Sequence, residues 1–197
     1  MQKIMFNEQF GLQKATFDGL KTMTRRAVPD KTMRDALAYQ SHHIDDEKAY
    51  EKYILDHAPY KVGEIVAIAQ RYSQLEKEIE REGLPLNLQE WVYKHKGYHN
   101  KMYVRAEDMP RKIKITGIKV EGLAGISDED CLKEGIYLRN DVITSQMEEV
   151  TRFQYHGTPH LFETPYRAYK DLIDRLNKRG YFESNPLVYA YTYELVD

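Results

Sequence analysis

The chain contains one cysteine and lacks both long apolar runs and a large net charge. Because Cys131 is alone, an internal disulfide and a cysteine-based zinc site are excluded, which fits a reducing compartment such as the cytoplasm. No apolar run is long enough to cross a membrane, and residues 1–10 lack the charge layout of a signal peptide. The sequence therefore predicts a cytoplasmic protein with no membrane partner.

The charges nearly cancel over the whole chain, with 29 Lys and Arg against 31 Asp and Glu. Such a chain is not a general polyanion binder, so any nucleic-acid site must be local. Positive charge is concentrated at residues 14–34 and 101–119, each with six basic and two acidic residues. A length of 197 residues predicts a single domain spanning 1–197.

Several catalytic and cofactor signatures are missing. We find no glycine-rich phosphate loop, no Ser-His-Asp signature and no dinucleotide fingerprint. The seven histidines are dispersed, and Gly157 and Pro159 interrupt the pair His156 and His160. Zinc sites need about four converging ligands. The sequence therefore predicts no metal and no other cofactor.

Hydrophobic periodicity predicts short strands scattered among helices. Strands are predicted at 3–6, 62–69, 102–105, 111–120 and 187–195. Helices are predicted at 7–18, 30–40, 45–57, 72–83, 87–96 and 126–135, and from 164 onward. No βαβ unit repeats, so the pattern favours an α+β fold built on a small mixed or antiparallel β-barrel with flanking helices. The charged segments 27–60 and 72–100 are predicted to be helical insertions.

A dense polar cluster follows the helix stop at Gly19. It consists of Lys21, Thr22, Thr24, Arg25 and Arg26. Side chains alternate in an extended segment, so Thr22, Thr24 and Arg26 are expected on one face, with Lys21, Met23 and Arg25 on the other. One amine, two hydroxyls and two guanidiniums suit an anion or a polar heterocycle. The alternative is an ordinary basic turn between a helix and a strand.

Several spaced motifs resemble those of the ASCH family. They are Gly-x-Lys-Thr-x-Thr-Arg at 19–25, Val-Gly-Glu at 62–64, Ile-Lys-Ile-Thr at 113–116, Ile-Ser-x-x-Asp-x-x-x-Glu-Gly at 126–135, and a last strand after Asn185-Pro186. A Met-Pro-Arg step at 109–111 is similar to the longer, phage-associated branch. The resemblance implies a PUA-like β-barrel with a cleft beside it, where the segment 21–26 faces the acidic helix end at Glu134.

The same resemblance implies two functions. PUA-like domains commonly bind RNA or a modified base, and one compact ASCH subgroup hydrolyses the acyl amide of N4-acetylcytidine. The lysine, threonine and glutamate of that subgroup match Lys21, Thr24 and Glu134, as base, nucleophile and acid. The compact enzymes lack both insertions, and longer members often carry an acidic residue where this chain has Gln70 and Arg71. In the alternative interpretation, Lys21 is a phosphate contact, Thr24 is a strand residue and Glu134 is a charge on a helix surface.

We therefore predict a binding domain for RNA or a modified nucleoside in a basic cleft. The predicted contacts, beyond the three residues above, are Thr22, Arg25, Arg26, Gln70, Arg71, Arg105, Arg111, Lys112 and Lys114, with Tyr72, Tyr103 or Trp91 stacking on a base. The first alternative is an amidohydrolase acting on N4-acylcytidine-like substrates. The second is a protein-interaction factor whose charged helices face an unknown partner.

Overall fold

A computed structural model describes residues 1–82, 91–140 and 151–196, without the side chains of 79–82 and 91. In chain order its elements are β1 (Gln2–Ile4), α1 (Leu12–Phe17), β2 (Met23–Ala27), α2 (Asp30–Ser41), α3 (Ala49–Asp56), β3 (Ile65–Ile68), α4 (Tyr72–Glu82), α5 (Trp91–Lys94), β4 (Lys112–Gly122), α6 (Asp128–Lys133), β5 (Tyr137–Arg139), β6 (Arg152–Gln154), α7 (Pro165–Leu176) and β7 (Leu187–Val196). The Trp91 side chain, predicted to stack on a base or anchor a helix, lies outside the described part.

Five strands form one mixed sheet in the order β1-β3-β4-β7-β2. Only the β1–β3 pair is parallel, and the long strands β4 and β7 pair antiparallel from Lys112 opposite Val196 to Gly122 opposite Leu187. A register shift between Ile115 and Gly117 interrupts this ladder. Strands β5 and β6 form a separate two-stranded sheet. The predicted α+β class is confirmed.

The sheet is open, so the expected closed barrel is wrong for the described residues. Both β1 and β2 remain at the edges. Strand β1 has three residues, which leaves little backbone with which to close a ladder against β2. A side chain spans this gap instead, because Arg26 Nη2 on β2 donates to the Met5 carbonyl oxygen at 2.6 Å. The edge strands β1 and β2 therefore border an open space between them.

The main core lies between the sheet and the helices α1, α3 and α7. Strand β4 buries Ile113 and Ile115 and exposes Lys114 between them, which confirms its predicted period of two. Helical spacing predicts a buried face of α7 made of Tyr166, Tyr169, Ile173 and Leu176; Tyr169 is buried and the other three are half-buried, while Leu172, outside that face, is also buried. Each such large side chain contributes roughly 1.5–3 kcal/mol through burial. The rigid centre of the sheet thus supports the β2 edge.

The two segments predicted as insertions both contribute buried side chains. Residues 27–60 supply Ala36 and Ile54 to the main core, and the Tyr189 hydroxyl donates to the Ile54 carbonyl oxygen at 3.2 Å. Tyr72 and Leu75 belong to a second, smaller core around Ala67, Ala69 and Met109. Their status as insertions stays a prediction.

Two local predictions differ from the structure. Residues 102–105 were expected to form a strand, but a 3₁₀ turn covers Lys101–Tyr103 because the Asn100 side chain accepts from the Met102 N–H at 2.9 Å. The first helix begins at Leu12 rather than at residue 7, because Gly11 before it has φ +63°. The helix predicted at 87–96 lies partly outside the described residues.

No described helix has the length and hydropathy required to cross a bilayer.

Candidate functional site

The polar cluster after Gly19 is held between the last strand and helix α6. Gly19 has φ +72°, which ends α1 and turns the chain. The Thr22 N–H then donates to the Lys133 carbonyl oxygen, and the Thr22 carbonyl oxygen accepts from the Tyr193 N–H, both at 2.9 Å. These two backbone bonds fix the segment beside the end of α6. They direct Lys21 into the protein interior.

The Lys21 ammonium group forms a buried ion pair with Glu134. Its Nζ donates to Glu134 Oε2 at 2.5 Å, to the Glu134 carbonyl oxygen at 3.0 Å and to the Met23 carbonyl oxygen at 2.7 Å. The two side chains are 1% and 5% exposed. Three acceptors match the three protons of an ammonium group. Burial of this pair is compensated by hydrogen bonds, as buried charges require.

Arg25 binds three carboxylates from two elements. Its Nη1 donates to Glu134 Oε1 at 3.1 Å, its Nε to Glu121 Oε1 at 2.8 Å, and its Nη2 to Asp130 Oδ2 at 3.1 Å. Glu134 therefore accepts from a lysine with one oxygen and from an arginine with the other. The rigid fork of a guanidinium suits such bridging. This network fixes the position of Glu134 from two sides.

A cavity of about 310 Å³ opens beside this network, between the β2 edge and the segment after β1. Its polar lining includes Lys21, Thr24, Arg25, Arg26 and Glu134. Apolar side chains from α7 and from the segment after β1 complete the wall, among them Phe6, Leu172, Ile173 and Leu176. This volume is at the small end of the range for ligand pockets. The cavity suits a small ligand with polar and apolar parts.

Thr24 is 4% exposed and lines this cavity. Across the described residues its hydroxyl makes no hydrogen bond. The three predicted catalytic residues, Lys21, Thr24 and Glu134, therefore line one cavity. The predicted alternation differs, because Lys21 and Arg25 line the cavity together with Thr24 and Arg26. Strand β2 begins only at Met23 and lies at the sheet edge, where the cavity receives side chains from both faces.

Electrostatics at the cavity oppose a permanently charged Lys21. Burial lowers the pKa of Lys21 below its ordinary 10.5, and the positive charges of Arg26 and Arg25 lower it further. The Glu134 carboxylate acts in the opposite direction without cancelling the effect. Burial opposes the charge of Arg25 too, but Glu134 and Glu121 raise the pKa of that guanidinium, so it stays charged. The site thus pairs a fixed cation with a titratable amine.

The other predicted contacts lie elsewhere. Gln70 is fully buried and its Nε2 donates to Glu78 at 3.0 Å, while Arg71 Nη2 lies 2.7 Å from Glu8. Arg111 packs 4.3 Å from the Phe17 ring centroid and lines a second cavity of about 330 Å³ together with Glu8 and Glu78. Carboxylates therefore neutralise much of the positive charge that was predicted to bind phosphate.

Further predicted residues also do not line the first cavity. Arg105 is exposed, and its backbone N–H donates to the Tyr72 hydroxyl at 3.1 Å. Lys112 is half-buried on β4, opposite Val196, and Thr22 serves the backbone contacts described above. Tyr103 is half-exposed, with Lys96 Nζ 5.7 Å from its ring centroid. The structure does not gather these side chains into one basic cleft.

Sequence reasoning missed three residues of the site: Glu121, Asp130 and Tyr169. Asp130 belongs to the Ser-x-x-Asp helix start, where the Ser127 hydroxyl accepts from its N–H at 3.2 Å. Tyr169 was predicted only as part of a helical stripe with Tyr166, Ile173 and Leu176, although it lines the cavity. The stripe carried no signal that distinguished Tyr169 from Tyr166. Glu121 follows the alternating part of β4 and carried no local signal.

Comparison of the chain with family models, with curated proteins and with solved structures finds no match. Among the described residues, no group of three or more His, Cys, Asp or Glu side chains is arranged to hold a metal ion.

Proposed function

We propose that this cavity binds a small polar heterocycle and hydrolyses an acyl amide attached to it, with N4-acylcytidine-like nucleosides as the substrate class. The observation that carries this proposal is the convergence of Lys21, Thr24 and Glu134 on one small cavity. Amide hydrolysis needs a nucleophile, a base and an acid for the leaving nitrogen. The motifs that resemble the ASCH family support the same residues. Membership of that family and a PUA-like relationship are part of the proposal.

The first half of the reaction transfers the acyl group to Thr24. A proton moves from the Lys21 ammonium to Glu134 along their 2.5 Å hydrogen bond, which leaves a neutral amine and a carboxylic acid. The amine takes the hydroxyl proton of Thr24 as Oγ1 attacks the acyl carbon. Glu134 gives its proton to the leaving nitrogen as the carbon–nitrogen bond breaks. The products are the free exocyclic amine and an acyl ester on Thr24, and the ion pair is restored.

The second half repeats the proton transfers with water as the nucleophile. Lys21, again neutral, takes a proton from water as its oxygen attacks the ester, and Glu134 protonates Thr24 Oγ1 as it leaves. A carboxylic acid and the free hydroxyl result. Burial favours this exchange because it lowers the pKa of Lys21.

The second candidate is binding without chemistry. One specific observation favours it: all three protons of Lys21 Nζ have acceptors, which is typical of a structural lysine. In this case the cavity holds a nucleoside or a splayed RNA base, and Thr24 contributes a hydrogen bond. Extended phosphate contacts have less support, because Arg71 pairs with Glu8 and Arg111 pairs with Glu78.

Incubation of the protein with N4-acetylcytidine separates the two candidates. The proposed function predicts stoichiometric cytidine and acetate from the wild type, and a loss of at least about a hundredfold in kcat for Lys21→Ala and for Thr24→Val. Thr116→Val is the matched control, since Thr116 is an exposed threonine on β4 outside the cavity. Nucleoside binding by calorimetry without acetate release would leave only the binding candidate.

A further inference from the structure

Tyr169 is a buried tyrosine whose hydroxyl lacks a partner at the wall of the cavity. The residue is 1% exposed, and among the described residues its hydroxyl has no hydrogen-bond partner. Its ring lies edge-on to Phe182, with centroids 6.1 Å apart, and it lines the cavity together with Leu172 and Ile173. A phenylalanine would fill the same space without burying an unpaired hydroxyl. The hydroxyl is therefore available to donate a hydrogen bond to a bound ligand.

The charged groups of the network that lines the cavity act on this hydroxyl. Burial raises the pKa of Tyr169 well above its ordinary 10, and the charge of Glu134 raises it further, while Arg25 opposes the rise. The group therefore remains a proton donor throughout the physiological range. Lys21 and Arg25 already direct their protons at carboxylate and carbonyl oxygens. An unused donor on a residue that lines the cavity matches an oxygen acceptor on the ligand.

We propose that the Tyr169 hydroxyl donates a hydrogen bond to the carbonyl oxygen of the acyl group bound in this cavity, and so selects acylated over unmodified nucleosides. This inference rests on the proposed function. The hydrogen bond strengthens as that oxygen gains negative charge in the tetrahedral intermediate, so the same group contributes to binding and to rate. Tyr169 thereby joins Lys21, Thr24 and Glu134 as a residue that contacts the substrate.

The chain offers a matched control in Tyr191. It is also fully buried, and its hydroxyl also lacks a partner among the described residues. Its ring packs on Tyr60 with centroids 5.4 Å apart, and it is not among the cavity-lining residues. Tyr169→Phe and Tyr191→Phe therefore remove the same atom from similar environments. Only the first removes it from the cavity.

The experiment measures the melting temperature, the Kd for N4-acetylcytidine and for cytidine, and kcat for both variants. Binding is measured in a Thr24→Val background, so that turnover does not interfere. We expect Tyr169→Phe to keep or raise the melting temperature, to leave the cytidine affinity unchanged, to weaken N4-acetylcytidine binding about tenfold, and to lower kcat about a hundredfold. Tyr191→Phe is expected to match the wild type in all binding and rate measurements.

Failures of the inference and of the proposed function can be told apart. If the wild type hydrolyses N4-acetylcytidine and Tyr169→Phe has the same kcat and the same Kd for it, the role of Tyr169 is overturned and the proposed function stands. A wild type that binds but does not hydrolyse overturns the proposed function, and a selective loss of N4-acetylcytidine affinity in Tyr169→Phe still supports the contact. Equal weakening of cytidine and N4-acetylcytidine overturns the assignment to the acyl oxygen. If neither nucleoside binds to the wild type, both proposals fail.

Discussion

Lys21 and Glu134, which lie 113 positions apart in the chain, form a buried ion pair with Nζ 2.5 Å from Oε2. This contact joins the loop after α1 to the end of α6 and forms one wall of the candidate cavity. Each partner also interacts with Arg25 or with a backbone carbonyl oxygen. The pair is thus a structural link as well as the proposed proton relay.

Glu134→Gln is expected to destabilise the protein substantially. The substitution removes the countercharge of Lys21 and one of three carboxylates around Arg25, which leaves buried positive charge poorly compensated. Breaking a buried pair in this way typically costs about 3–5 kcal/mol in free energy of unfolding. Urea denaturation measures this quantity. Glu163→Gln is the control, because its exposed pair with Arg167 contributes at most about 0.5 kcal/mol. Equal losses in both variants would contradict a special role for the buried pair.

The position of Gly135 tests how tightly the site is packed. Gly135 has φ +100°, and a Cβ there would lie 3.3 Å from Leu12 Cδ2 and 3.6 Å from Lys21 Cδ. We expect Gly135→Ala to cost about 1–2 kcal/mol for the backbone conformation and more for the crowding. Gly19→Ala has a positive φ but no atom within 4 Å of the added Cβ, so it measures the backbone cost alone. A smaller loss for Gly135→Ala than for Gly19→Ala in thermal denaturation would contradict the packing described.

Features set by neighbouring residues in the sequence were predictable, whereas contacts between residues far apart in the sequence were not. The cluster after Gly19 and the strand at 111–120 were predictable because a helix stop and a period of two are local signals. The bonds from Arg25 to Glu121 and Asp130 span 96 and 105 positions, and no local pattern encodes them. The pairing of β5 with β6 was missed because strands of three residues are too short to show periodicity.

The barrel prediction failed for a related reason. Local patterns identify strands but do not determine whether the first and last positions of a sheet meet. Closure depends here on β1, which is only three residues long, and on Arg26, whose side chain reaches the Met5 carbonyl oxygen instead. Five polar residues that line the resulting gap were predicted, namely Lys21, Thr24, Arg25, Arg26 and Glu134, but the gap itself is a tertiary feature.

The Asp130 carboxylate should make the free energy of unfolding depend on pH in the acidic range. Burial raises its pKa, but hydrogen bonds from Lys119, Lys133 and Arg25 outweigh burial and lower that pKa below its ordinary 3.8. A carboxylate with a lowered folded-state pKa stabilises the fold above its unfolded-state pKa, and this contribution is lost as the pH falls through the folded-state value.

We therefore expect Asp130→Asn to have a lower free energy of unfolding than the wild type at neutral pH. On acidification below about pH 4, the free energy of unfolding of this variant should fall less than that of the wild type. Urea denaturation at a series of pH values measures this slope. Glu129→Gln, an exposed substitution on the same helix, should keep the wild-type slope. Identical slopes for the wild type and Asp130→Asn would show that this carboxylate does not contribute.

The thiol of Cys131 should be inert in the folded protein. It is fully buried, and burial raises its pKa to about 12, with a further contribution from the negative charge of Asp128. Because the thiolate is the reactive form, we expect no reaction with a disulfide reagent under native conditions and one thiol per chain in denaturant. Rapid reaction in the native state would show that α6 does not pack as described.

Arg26 should tune the pH dependence of the proposed reaction. Its charge is one of the causes that lower the pKa of Lys21, after burial. In the proposed mechanism the proton that Lys21 passes to Glu134 is the one that the leaving nitrogen receives, so the rate falls with pH as this amine loses its proton to solvent. Arg26→Gln should therefore move the falling limb of kcat/KM to higher pH, whereas Arg167→Gln, at an exposed helix position, should leave it in place. An unshifted limb in Arg26→Gln would contradict Lys21 as the titrating group.

The most direct test of the central claim is the single-turnover rate of cytidine formation from N4-acetylcytidine in Lys21→Ala, Thr24→Val and the double variant. Residues that act as one unit give non-additive losses. We predict a loss of at least about a hundredfold in each single variant and almost no further loss in the double variant. Losses that multiply in the double variant, or a wild type that forms no cytidine, would contradict the proposal that the cavity is a single catalytic site.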